Sequence, residues 1–236
     1  MKSSSTPEIL NPFATRSLVR VQQVEAARYA VLRRLSPALR HHMVRHLQPI
    51  GLIYGVMDHK LSRGDPDLQA LRVNADKINE FAKAALAQCI DISTWLAPEL
   101  CAPVPLESGV MECVGLLATT LHFRGFRLVN EIEVMPCQVR QGALRMILIA
   151  ALFEVSDGLD APATLTLSAL PEQSGVTLRL QVSAREDGRV EEYDDGYRKL
   201  VWSDVQALAG AEGVALSRQD GLVTMRFPVE GETPAP

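Results

Sequence analysis

Apolar side chains recur every three or four residues at Leu32, Leu35, Leu39, Met43, Leu47, Ile50, Tyr54, Met57 and Leu61. That spacing predicts an amphipathic helix over residues 17–61 with a single apolar stripe. Pro37 and Pro49 fall inside it, and each removes a backbone donor and crowds the preceding turn. Because the stripe continues through both, a bend is expected at each rather than an end. The run Ser62-Arg63-Gly64-Asp65-Pro66-Asp67 then combines stop and start signals: Gly64 suits a carboxy-terminal cap, Asp65 the next amino-terminal cap and Pro66 the first helical position. Leu68, Leu71, Ala75, Ile78, Ala82, Ala85, Cys89, Ile92 and Leu96 form a second stripe, so a second helix is expected over 68–95. Two helices joined by so short a turn make an antiparallel hairpin. One hairpin cannot bury two wide stripes; two copies can, as a dimeric four-helix bundle, and the other way is for a second domain of the same chain to cover them.

The pattern changes after residue 97. Residues 98–105 carry three prolines and read as a linker. A helix is expected over 106–121, a strand over 127–133, an apolar helix over 139–155, and strands over 164–169 and 176–183 around a turn at 171–175. An acidic loop over 185–197, a helix over 198–209 and a closing hairpin of strands, 214–217 and 222–227 around Asp220-Gly221, complete the order. Helices interleaved with mainly antiparallel strands predict a two-layer α/β sandwich, and the whole chain an α+β protein. The expected organisation is a flexible arm (1–16), a helical hairpin (17–97), the linker (98–105), the sandwich (106–229) and a frayed tail (230–236).

Charge sharpens the picture. The net charge of -4 and pI near 5.8 argue against generic nucleic-acid binding. Yet residues 16–63 hold nine Arg or Lys against Glu25 and Asp58, so the first helix is basic on an acidic protein and suits a locally acidic partner. Cys89, Cys101, Cys113 and Cys137 lack metal-ligand spacing, and no signal peptide precedes them, which points to free thiols in the cytoplasm. The apolar run from Met146 to Phe153 is too short to cross a bilayer.

Four of the five histidines, His41, His42, His46 and His59, cluster on the first helix. At about 100° per residue, His41 lies nearly opposite the stripe, on one line with Arg34, Arg45, Gln48, Leu52 and His59. His42 sits on the flank and His46 close to the stripe. His41 is therefore the histidine offered to solvent, with His42 and His46 as the alternatives in so dense a cluster.

A hairpin with an exposed histidine, followed by a sandwich in this element order, resembles the core of sensor histidine kinases: the dimerisation and histidine-phosphotransfer bundle, then the ATP-binding domain shared with gyrase-type ATPases. The family's H-box places leucine six and isoleucine nine positions after its phospho-accepting histidine, and Leu47 and Ile50 stand there relative to His41. Leu47, Gln48 and Ile50 also match the variant H-R-x-x-N-N-L-Q-x-I. Departures are equally clear. His42 stands where the family usually has an acid, Arg45 where it has Asn or Thr, and His46 where it has proline.

The sandwich departs further. The N-box asparagine is missing from Leu148 to Glu154, Ala184 to Arg189 does not supply D-x-G-x-G, and Tyr197 to Trp202 replaces the glycine-rich lid. Phosphoryl transfer from ATP needs such groups to position and neutralise the phosphates. The resemblance therefore implies a histidine phosphotransferase with a degenerate ATPase-like domain. His41 would exchange phosphate with the aspartate of a response-regulator receiver domain, which brings its own Mg²⁺, while Arg34, Arg45, Gln48, Leu52 and His59 would contact the receiver. No cofactor of its own is implied. A pseudokinase that docks receivers or kinases, and a kinase with a divergent ATP site in which Glu154 holds Mg²⁺, are the alternatives.

Overall fold

The structure is a computed structural model that describes residues 12–64, 67–96, 102–187, 189–190 and 197–228, with residues 12–17 described in their backbone only. The expected arm up to residue 11, the capping pair Asp65 and Pro66, residue 97 at the end of the expected hairpin, residues 98–101 of the linker, residues 188 and 191–196 of the acidic loop, and residue 229 with the tail lie outside the described residues.

Helix α1 runs over Pro12–Leu61, so the helix already includes the last residues expected to be an arm. It passes through Pro37 and Pro49 without ending, as the unbroken apolar pattern requires. Gly64, at φ 81°, closes it. Helix α2 follows over Leu68–Leu96, and its amino-terminal cap is Asp67, whose Oδ1 accepts the Ala70 N–H at 3.1 Å. The cap is thus two residues later than Asp65, because the carboxylate must sit three residues before the donor it satisfies.

The rest of the chain is an α/β sandwich. Strand β1, Pro103–Pro105, pairs antiparallel with β3, Gln138–Arg140, so the end of the expected linker belongs to this domain. Helix α3, Leu106–Phe123, leads into β2, Phe126–Asn130; helix α4, Gln141–Asp157, follows β3. Strands β4, Ala163–Glu172, and β5, Gly175–Ala184, form a long hairpin, then come α5, Trp202–Ala211, and the hairpin β6, Ala215–Gln219, and β7, Leu222–Pro228. The five-stranded sheet has the order β2-β4-β5-β7-β6, parallel only between β2 and β4, across the α4 connection. Residues alternate by face as the pleat dictates: Leu165, Leu167, Val176, Leu178, Leu180, Val223, Met225 and Phe227 are buried under the helices, while Thr164, Thr166, Thr177, Arg179 and Thr224 line the more open face. Gly125 turns α3 into β2 at φ 92°, where a Cβ would lie 2.2 Å from the Arg189 carbonyl oxygen, so only glycine fits.

The apolar stripe of α1 is divided between two neighbours. Val24, Ala27, Ala30, Val31, Leu35 and Leu39 are buried against α3, α4 and α5. The second domain of the same chain therefore covers this part, one of the two ways of burying it that the pattern allows. Beyond Leu39 the helix packs on α2: Met43, Ile50 and Met57 are half-buried, whereas Leu47, Tyr54 and Leu61 are exposed. Burying a leucine under the sandwich and leaving one on the tip have different energetic weight. Leu35→Ala is expected to lower the unfolding free energy by about 2–5 kcal/mol in urea titrations, and Leu52→Ala, at an exposed position, by less than about 0.5 kcal/mol.

Candidate functional site

His41 stands at the boundary between the two parts of α1. Pro37 and Ala38, one turn before it, line a crevice with Arg34, Leu117, Thr120, Arg124 and Phe153, where α1 crosses the ends of α3 and α4. Seven residues separate Arg34 from His41, so both lie on the same line of the helix. His41 is therefore on the side of α1 that faces the sandwich, just past its edge, and remains exposed.

Arg34 itself was expected on the solvent line. It is buried instead, 7% exposed, in an ion pair with Asp157, including Nη2 to Oδ1 at 3.0 Å, and its guanidinium lies 4.2 Å from the centre of the Phe153 ring. Arg124 reaches the same carboxylate at 3.0 Å and the Ser156 hydroxyl at 3.1 Å. The helical wheel placed Arg34 opposite a seam shared with one partner; the sandwich packs on the adjoining side and takes the arginine into its interface. A buried charge must be paired, and here it is. Arg34 is thus part of the joint between hairpin and sandwich rather than of an open docking surface.

The other expected residues are exposed along one line. Arg45, Gln48, Leu52 and His59 follow His41 toward the tip, with Leu52 66% exposed. His59 lies about 27 Å along the axis from His41, the width of a small domain. His42 and His46 are half-buried. The His41 and His42 rings meet edge to face, centroids 6.3 Å apart. Partial burial is the main reason that the His42 pKa lies below the ordinary imidazole value; the positive Arg45 and the neighbouring His41 and His46 push it the same way, and Asp91 on α2 opposes them.

Sequence reasoning missed Asp91 and its partner. Arg145, 1% exposed within the apolar helix α4, bonds Asp91 Oδ1 at 3.0 Å, Thr94 Oγ1 at 2.6 Å and Glu112 Oε2 at 3.1 Å, and stacks 4.5 Å from the Trp95 ring. A single arginine among Leu144, Met146, Ile147, Leu148 and Ile149 was the available signal, since so apolar a helix admits a charge only where a partner waits.

The positions that resemble the nucleotide site hold other interactions. Glu154, which would hold Mg²⁺ if the protein were a kinase with a divergent ATP site, takes Arg218 Nη1 at 2.7 Å through Oε1. Arg185 and Asp187 pair with each other at 2.7 Å where D-x-G-x-G would stand. Among the described residues no group of three or more His, Cys, Asp or Glu side chains is arranged to hold a metal ion, and no helix is long and apolar enough to cross a membrane. Cys89 is exposed; Cys113 and Cys137 are buried as free thiols. A cavity of about 550 Å³ lined by Glu25, Arg28, Tyr29, Leu32, Trp95, Leu96 and Met146 opens on the opposite flank of the joint.

No protein-family model matches the chain, and no curated protein matches it in sequence. Solved structures similar to it include the histidine kinase AdeS of Acinetobacter baumannii, at 13% identity and a TM-score of 0.43 over 80% of this chain and 98% of that one. A histidine kinase from Burkholderia phymatum is 18% identical, with a TM-score of 0.42 over 79% and 99%. The catalytic domain of the histidine kinase ThkA is 10% identical, with a TM-score of 0.39 over 54% and 94%.

The low pKa of His42 carries a sign. The folded protein takes up this proton at lower pH than the unfolded chain does, so the contribution of His42 to stability is full above about pH 6.5 and is lost as pH falls through the folded value. Thermal melts of the wild type and of His42→Asn from neutral to mildly acidic pH are expected to show a smaller acid-induced fall in Tm for the variant. Parallel curves would contradict the assignment.

Proposed function

We propose that the protein is a histidine phosphotransferase of a two-component phosphorelay, in which His41 exchanges a phosphoryl group with the aspartate of a response-regulator receiver domain. One observation carries the reading: the histidine with H-box spacing is exposed immediately beyond the edge of a sandwich that is tied to the stem of the same helix. In the forward step an imidazole nitrogen of His41 attacks the phosphorus of the receiver's aspartyl phosphate. The N–P bond forms as the acyl-phosphate O–P bond breaks, and the receiver regains a free carboxylate. In reverse, that carboxylate attacks the phosphohistidine and the imidazole leaves.

The receiver brings the carboxylate and Mg²⁺, so this chain need only present an accessible ring in line. Arg45 and His59 draw the acidic pocket of the receiver to the helix, Gln48 supplies hydrogen bonds, and Leu52 an apolar contact. Leu47, Tyr54 and Leu61 repeat every seventh residue on a different side of α1, and Leu68, Leu86 and Ile90 are exposed on α2. A second copy of the hairpin covers these lines in the proposed dimeric four-helix bundle. The sandwich works without ATP: the Glu154–Arg218 pair occupies the N-box position with a salt bridge in place of an asparagine.

Incubation with a receiver domain phosphorylated by a small-molecule phosphodonor tests the proposal. Label is expected on the wild type and on His42→Asn, and none on His41→Ala, while calorimetry shows no saturable Mg-ATP binding. Saturable binding with ATP-dependent labelling of His41 would make the protein a kinase. Undiminished labelling of His41→Ala would move the acceptor to another histidine.

A further inference from the structure

Helix α3 presents an uncharged row to solvent. Met111, Gly115, Thr119 and Phe123 follow one another at intervals of four residues, the spacing of a surface ridge, over about 18 Å of helix. All four are exposed, Met111 at 63% and Phe123 at 72%. The one acid between them, Glu112, is engaged by Arg145 and Gln141, so the row itself carries no charge. A solvated helix face ordinarily bears charged side chains; a row ended by a methionine and a phenylalanine marks a contact surface instead. Gly115 points the same way. A glycine inside a helix weakens it relative to alanine, yet nothing lies within 4 Å of the place a Cβ would take, so no neighbour in this chain requires it. The missing side chain leaves a saddle open to a partner. The row also ends beside the candidate acceptor: Thr120 and Arg124, which flank Phe123 in sequence, line the crevice that Pro37 and Ala38 close from α1, one turn before His41.

We propose that this row and the His41 line of α1 form one docking surface, on which the receiver domain sets its acidic pocket against α1 and an adjoining apolar face against α3. The inference rests on the reading that His41 exchanges phosphate with a receiver. Charge selects this partner. Helix α1 carries no acid from Tyr29 to Met57 and exposes Arg40 and Arg45 beside His41, while the row on α3 is neutral, so the surface suits a protein whose carboxylate cluster is bordered by apolar side chains. The buried ion pairs between hairpin and sandwich hold the two halves of the surface in fixed relation, so both are in place before the partner arrives. Helix α3 then contributes to the choice among receivers, because a charged border would lie unpaired against the row.

Calorimetric binding of the full chain to purified receiver domains encoded in the same genome, with labelling by the same receivers in phosphorylated form, tests this. Phe123→Ser and Gly115→Gln are each expected to weaken binding of a receiver that labels His41 by about tenfold. They are expected to raise the KM for the phosphorylated receiver by a similar factor with the rate at saturation nearly unchanged, since neither residue meets the transferred group. Gly115→Gln is expected to melt no lower than the wild type, because it replaces a helix-interior glycine at an open position, so its loss of binding is not a loss of fold. Leu170→Ser, at an exposed apolar position on β4, is expected to change neither binding nor KM. Receivers that bind and label His41 equally well in both row variants would overturn the surface and leave the phosphotransfer reading intact. A receiver that binds in a Phe123-dependent manner yet leaves no label on His41 would defeat phosphotransfer and keep the surface, and a chain that binds no receiver would overturn both. A mass in solution that falls in Phe123→Ser would put a second copy of this chain on the row, which also overturns the assignment.

Discussion

The structure depends on buried arginines bridging the hairpin and the sandwich. Helix α4 carries a joint near each end: Arg145, close to its start, holds Asp91 of α2, and Asp157, its last residue, holds Arg34 of α1 together with Arg124, the residue that caps α3. Arg34 and Arg145 are almost wholly removed from water, which is tolerable only because each is paired, hydrogen-bonded and stacked on an aromatic ring. Breaking such a pair leaves a bare charge in an apolar interface, at a cost of about 3–5 kcal/mol. The two joints grip different helices of the hairpin. Rotation about one is therefore blocked by the other, and the stem of the hairpin is rigidly oriented on the sandwich.

Much of this was readable in the chain. Period-three-and-four spacing located both hairpin helices within a few residues, and the strand pattern located the five strands of the larger sheet, because burial on one side is what those spacings encode; β1 and β3, three residues each, are too short to show it and fell in the expected linker and at the start of the expected helix over 139–155. Arg34 was misplaced for a physical reason. A helical wheel assumes a single seam, but α1 has two: Val24, Ala27, Val31 and Leu35 face the sandwich, and Met43, Ile50 and Met57 face α2. The seams are offset by roughly a quarter turn of the helix. Leu35 and Leu39 sit where they overlap, which is why one continuous stripe could be drawn through both. Asp91 was hidden for a related reason. Its importance comes from Arg145, distant in sequence, and nothing local to α2 distinguishes it from any solvated aspartate.

The change of seam also explains the character of the candidate site. Before Leu39 the side of α1 next to the sandwich is filled by packed side chains and by Arg34. After it the same side is empty, and His41 is the first long side chain on that line beyond the edge. Exposure of His41 follows from where the sandwich stops. Its neighbours are set by the same geometry: His42 is half-buried and loses part of its hydration, while Arg45, Gln48 and Leu52 continue outward on the open side.

A sandwich fixed in this way acts differently on His41 from one that must swing to deliver a substrate. Delivery of ATP to a histidine on a hairpin needs a domain that approaches and withdraws, and buried ion pairs at both ends of α4 oppose such travel. Transfer from a separate receiver asks for the reverse: a static platform whose accessible ring and charges are in place before the partner arrives, so that little ordering remains to be done on binding. The salt bridge between Glu154 and Arg218 belongs to the same logic, since it knits α4 to β6 and stiffens the platform. In the proposed phosphotransferase, the buried ion pairs of the joint would serve to hold the histidine still.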